Sequence, residues 1–143
     1  MLNLFKLGPG CMMVILLVSA CASSDASATP IPSATMTALE KEVVVTTMLA
    51  QAGIREADFK QEGQDFTLVI IVEWNIGEEQ AKDFSDNFVR LLKTHGPDTS
   101  VESGSRIGKG GYNYHVGVFR PDGTTNVVEG EKYDFADNIN WFD

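Results

Sequence analysis

Phe66-Thr67-Leu68-Val69-Ile70-Ile71-Val72-Glu73-Trp74 is apolar almost throughout. A run of this length and β-branched content reads as a strand, and its near-continuous hydrophobicity predicts a central position with both faces covered or nearly so. Working upstream, Glu62-Gly63 is a turn signal, and Ala57 to Gln61 is the segment placed to pair with the run through it. Downstream, Ala81, Phe84, Phe88, Leu91 and Leu92 recur at helical spacing, with Glu79, Lys82, Asp86, Arg90 and Lys93 on the other side. This predicts a helix over 78–94. Glu78 and Glu79 in its first turn and Lys93 in its last suit the helix dipole, and Gly96-Pro97 stops it.

Further along, Tyr112, Tyr114, Val116 and Val118 alternate with Asn113, His115, Gly117 and Phe119, a period of two. Pro121-Asp122-Gly123 is a turn with a mechanism: Pro fixes φ and Gly takes the left-handed position. Thr124 to Glu131 then returns as the partner strand. Tyr133, Phe135, Ile139 and Trp141 form either a last strand or a clamp over the core. Towards the N-terminus, Thr37-Ala38-Leu39-Glu40 fits a capping box. It opens a helix over about 37–52, with Leu39, Val43 and Ala50 on one side and Gly53 as its C-cap. The β-branched run Val43–Thr47 competes for strand.

Together these elements predict an α+β two-layer sandwich, with two helices packed on one face of a mainly antiparallel sheet of four to five strands. The order fits a doubled helix-hairpin unit, although the sequence itself shows no repeat.

The chain has 143 residues, room for one domain, and a formal net charge of −9. That charge works against nucleic acid, whose phosphates need a basic stripe. Two cysteines, Cys11 and Cys21, exclude a disulfide scaffold.

Both cysteines fall in an N-terminus of a particular build. Lys6 supplies early positive charge, Met12–Val18 (MMVILLV) is an apolar run, and small residues precede Cys21. This is the order of an export signal, and the run is too short to span a bilayer, which needs ~20 residues. Leu17-Val18-Ser19-Ala20-Cys21 resembles the lipobox of bacterial lipoproteins: an aliphatic residue, two small ones, then cysteine. The resemblance covers residues 1–21. It implies a signal peptide over 1–20 that is removed, and transfer of a diacylglyceryl group to the Cys21 thiol, often followed by acylation of the new amino group. The protein is then exported and held by lipid. Ala22 after the cysteine points to the outer membrane in a two-membrane host, otherwise to the outer face of the cell membrane. Two or three acyl chains anchor far more firmly than one, at about 0.8 kcal/mol per buried methylene.

After the anchor, 22–36 reads ASSDASATPIPSATM, in which twelve of fifteen residues are Ala, Ser, Thr or Pro. Such a segment has no packed core to join and reads as a tether, averaging ~20 Å end to end and reaching ~50 Å when stretched. The domain is then 37–143, acidic and held off the membrane surface.

Within the domain, the best chemical lead is Gly104-Ser105-Arg106-Ile107-Gly108-Lys109-Gly110-Gly111, where loop amides with Arg106 and Lys109 make an anion-binding candidate. It matches neither phosphate-loop pattern, since no Ser or Thr follows the lysine and a strand rather than a helix comes next. His95 and His115 are the only histidines and lack the companions a metal site needs. Asp134, Asp137 and Asn138 are oxygen-rich but too sparse for a calcium loop. No nucleophile-elbow or triad order is present, so neither enzyme chemistry, cofactor nor metal is expected. Tyr112, Tyr114, Phe119, Tyr133, Phe135, Trp141 and Phe142 crowd the C-terminal third, as core or as a partner-binding patch. The expected function is a tethered protein-interaction module, partnered by the membrane through Cys21 and by an envelope protein. The alternative is a small-ligand or anion binder at 104–111.

Overall fold

Thr37 opens the first helix as a capping box requires: its hydroxyl accepts from Glu40 N, and the Glu40 carboxylate accepts from Thr37 N at 2.7 Å. The computed structural model describes residues 34–98, 104 and 106–143. The signal peptide, Cys11, Cys21, most of the tether and Ser105 lie outside the described residues.

The elements are α1 (Ala38–Leu49), β1 (Ile54–Glu62), β2 (Asp65–Val72), α2 (Glu78–His95), β3 (Asn113–Phe119), β4 (Asn126–Lys132) and β5 (Asn140–Trp141). The five strands form one sheet in the order β1-β2-β3-β4-β5. All neighbours are antiparallel except β2 and β3, which run parallel and are joined by α2. The fold is therefore α+β, with a mainly antiparallel sheet. A helix followed by a hairpin occurs twice, and the two hairpins meet along β2 and β3. α1 packs on β1 and α2, while α2 packs on β2, β3 and β4.

Several expectations change in detail. α1 ends at Leu49, with Ala50 rather than Gly53 as its C-cap; Gly53 adopts φ +98°, a left-handed conformation that turns the chain into β1. Its core face is Val44 and Met48, not Leu39 and Val43, which are 70% and 39% exposed. The consecutive valines Val43, Val44 and Val45 spread apolar side chains over several sides of α1, so its buried stripe is not announced. The strand before the Gly63 turn is longer than Ala57–Gln61 and starts at Ile54. Tyr133 and Phe135 stand outside any strand, stacked on each other with centroids 5.5 Å apart and exposed. Only Asn140 and Trp141 pair as β5.

Register defines the two faces. Ala57, Ile70, Val118 and Val128 form one inward row; Phe59, Leu68, Val116, Gly130 and Trp141 the next. The third inward row is Gln61, Phe66, Tyr114 and Lys132. Phe66 stacks on Tyr114 at 5.3 Å and packs with Phe59, which meets Phe88 of α2 edge-on at 6.0 Å. Each such aromatic pair adds ~0.5–1.5 kcal/mol beyond area burial.

Candidate functional site

The outward face of the sheet has no described element over it. β2 is flanked by strands on both edges, but its outward residues are not covered: Val69 is 38% exposed, against the expectation of a strand buried on both faces. Val69 and Ile71 are apolar on the solvent side, which hides the period of two from the sequence. Across β3, the Phe119 ring lies over Gly117, where a Cβ would come within 2.7 Å of it. Val69, Ile71 and Phe119 thus form an apolar strip on the open face.

Charged residues surround the strip. Register places Glu56, Asp58, Lys60 and Glu62 on the outward side of β1, Asp65 on β2, His115 on β3, and Glu129 and Glu131 on β4. Six carboxylates face two basic groups. His115 Nδ1 lies 3.8 Å from Glu131 across the strands. Two shallow recesses flank Val69: one of about 530 Å³ bounded by Asp58, Lys60, Glu62 and Thr67, and one of about 130 Å³ bounded by His115, Gly117, Phe119 and Glu129. Apolar centre and acidic rim together suit a partner that is both apolar and basic.

The glycine-rich loop is organised around a cation. Lys93, expected on the solvent side of α2, is fully buried and donates to the carbonyls of Ile107, Gly108 and Lys109 at 3.2, 2.9 and 2.7 Å. The amides of Gly108 and Gly110 donate to Asp137 O and Asp134 O. Arg106 is exposed and 3.9 Å from Asp137, and Lys109 is exposed. The structure thus brings Arg106 and Asp137 together, while Lys109 gives its main-chain carbonyl to Lys93.

Beside this loop is a buried polar group that sequence reading missed. Tyr114 donates a 3.2 Å hydrogen bond to buried Asp98, and Lys132, also buried, stands over the Tyr114 ring. Burial, and then the neighbouring charge of Lys93, bring the Lys132 amine down to about 8, while burial and Asp98 push the Tyr114 phenol up. The one available signal was the phase of the strand: Lys132 continues the inward register of Val128 and Gly130. His95 is exposed at the end of α2 and His115 lies on the outward sheet face. No cluster of metal-ligating side chains occurs among the described residues.

Comparison with protein-family models, curated proteins and solved structures returns no match.

Proposed function

We propose that this chain is a membrane-anchored envelope lipoprotein whose domain is a protein-interaction module, held off the membrane by its tether. The observation that supports this reading is the open sheet face, with Val69, Ile71 and Phe119 at its centre and carboxylates around them. Large apolar side chains left on a solvent face, rimmed by charge, mark contact surfaces. The lipobox-like segment at 17–21 supplies the anchor, and the acidic domain gains nothing from lying on anionic headgroups.

The test is a photo-crosslinking amino acid placed at Val69 in cells, with the same probe at Glu79 of α2 as the control. A discrete adduct from position 69 that is absent from position 79, and weakened by Cys21→Ser, is the expected result. The same adducts from both positions, or none from either, overturn the reading.

A further inference from the structure

β1 is one of the sheet's two edge strands and its longest, and no strand among the described residues lies beside its outer edge. Glu56, Asp58, Lys60 and Glu62 pair toward β2, so Ala57, Phe59 and Gln61 turn their main-chain N–H and C=O away from it. At Phe59 both groups are met by side chains. Lys41 Nζ donates to Phe59 O at 2.7 Å, and Asp58 Oδ1 accepts from Phe59 N at 2.8 Å. Lys41 and Asp58 also pair with each other at 2.7 Å. An ammonium and a carboxylate therefore stand where a neighbouring strand would place its own donor and acceptor.

The same edge already holds an extended segment at Gln61. Its carboxamide accepts from Met36 N at 2.9 Å and donates to Ala34 O at 2.8 Å. Between that segment and the Lys41–Asp58 pair lies a cavity of about 410 Å³, lined by Met36, Thr37, Ala38, Lys41 and Phe59. Clefts of ~300–1,000 Å³ are the size that takes ligands.

We propose that β1 accepts an extended peptide as a sixth strand, with the Lys41–Asp58 pair as a gate the peptide displaces. The inference rests on the interaction-module reading and names the partner's chemistry. Edges are blunted by charged side chains, proline, bulges or covering elements, and β1 has its irregularity at Ile54–Glu56, away from Phe59. Here the cover at Phe59 is one ion pair with side chains 44% and 72% exposed, which water and salt already weaken. The incoming strand's outward residues face Glu56, Asp58, Lys60 and Glu62, three acids to one base, and are therefore basic. Its inward residues meet Phe59, Ala57 and the cavity, and are apolar. A second copy of β1 fits less well than a basic strand: paired antiparallel about Phe59 it sets Asp58 against Lys60 but also Glu56 against Glu62 on each side, and it brings three more acids to the edge for one more base. The tether is also a poor match, since its one charge is Asp25 and Pro30 and Pro32 interrupt it.

The experiment measures binding of a short, blocked, dye-labelled peptide of alternating valine and lysine to the full chain in non-ionic detergent, by fluorescence anisotropy. Two further peptides carry N-methyl groups on all valines or on all lysines. Strand addition uses the amides of only one alternate set, so one methylated peptide is expected to lose binding and the other to keep it. Methylated valine is the sensitive set for antiparallel addition, and methylated lysine for parallel addition. Lys41→Met, which opens the gate and leaves the acidic row intact, is expected to tighten binding several-fold; Asp58→Asn, which keeps an acceptor for Phe59 N and removes one acid of that row, is expected not to tighten it; and a valine-glutamate peptide is expected not to bind. No binding by wild type or either variant, or equal effects of the two methylations, overturns the proposal. If peptide binding fails while the Val69 crosslink persists, only the edge site falls; if the crosslink fails too, the module reading falls with it.

Discussion

Lys132 is fully buried, with its ammonium 5.7 Å from the centroid of the Tyr114 ring. Burial and Lys93 lower its pKa to about 8, against the opposing pull of Asp98, Asp134 and Asp137. In the unfolded chain a lysine keeps its proton to ~10.4. Between these values the unfolded state binds the extra proton, so stability rises with pH through that window. Below about 8 the folded protein carries the buried charge and the penalty is at its full size. Tyr114 acts in the opposite sense higher up. Its phenol is raised by burial, so the unfolded chain ionises first, near ~10, and stability then falls. Urea midpoints measured from neutral pH to ~10 are expected to climb in the wild type and to stay flat in Lys132→Met, with the later fall kept in both.

Lys93 holds the 106–111 loop through three carbonyls, which lose this donor once the ammonium is gone. Hydrogen bonds to a charged group contribute about 1.5–3 kcal/mol each, and their loss is only partly recovered by water entering. Lys93→Met is expected to destabilise by ~3 kcal/mol. It is also expected to speed amide exchange at Gly108 and Gly110, whose bonds to Asp137 and Asp134 depend on the loop keeping its shape. Exchange at Val116 and Val118 in the sheet interior, normalised to the change in global stability, is expected to stay as it was.

These two lysines also mark where the sequence stops being legible. α2 is readable because Ala81, Phe84, Phe88 and Leu92 keep one period, and charges fill the opposite side. Lys93 breaks that pattern, and three of the groups it binds are main-chain carbonyls, which carry no residue signature. β3 is readable because Tyr114, Val116 and Val118 face inward at every second position, alternating with Asn113, His115 and Gly117. β2 is readable as a central strand, but its two faces are not told apart, because Val69 and Ile71 lie on the solvent side while Leu68 and Ile70 face the core. For α1, the capping box locates the start, but the sequence pattern points to Leu39 and Val43 as the buried side, which Val44 and Met48 occupy instead. The same features that defeated the reading form the open face, so the surface offered here for a partner was visible only once register was known. Cys21, by contrast, is read from a contiguous motif that needs no tertiary geometry.

Gly130 is where β5 closes on β4. A Cβ there would come within 2.8 Å of Asn140 O, Ile139 Cγ2 and Trp141 Cε3. The main-chain oxygen cannot move without dragging β5, which is tied to β4 by the Phe142 N bond to Glu129 O and to the core by Ile139. Overpacking of this kind costs about 1–3 kcal/mol. Gly130→Ala is expected to fall in that range and to shift the fluorescence of Trp141 towards that of an exposed indole, as its ring leaves the place facing Lys82, 6.0 Å away.

Asp122 organises the turn between β3 and β4. Its carboxylate accepts from Thr124 N at 3.0 Å, Thr125 N at 2.9 Å and Thr125 Oγ1 at 2.6 Å. These bonds, the Thr125 hydroxyl first, hold its pKa down to about 2. A carboxylate lowered on folding stabilises the native state above its unfolded value of ~3.9, and that contribution is lost as pH falls through the folded value. Asp122→Ala is therefore expected to unfold at lower urea than wild type at neutral pH, with the gap closing between pH ~4 and ~2. Asp122→Asn keeps an acceptor oxygen but not the charge, so it is expected to lie between the two and to show no change of gap with Ala over that range. If the Ala gap were the same at both ends, the turn would owe its stability to Gly123, whose φ of +69° already bends the chain, and not to the carboxylate.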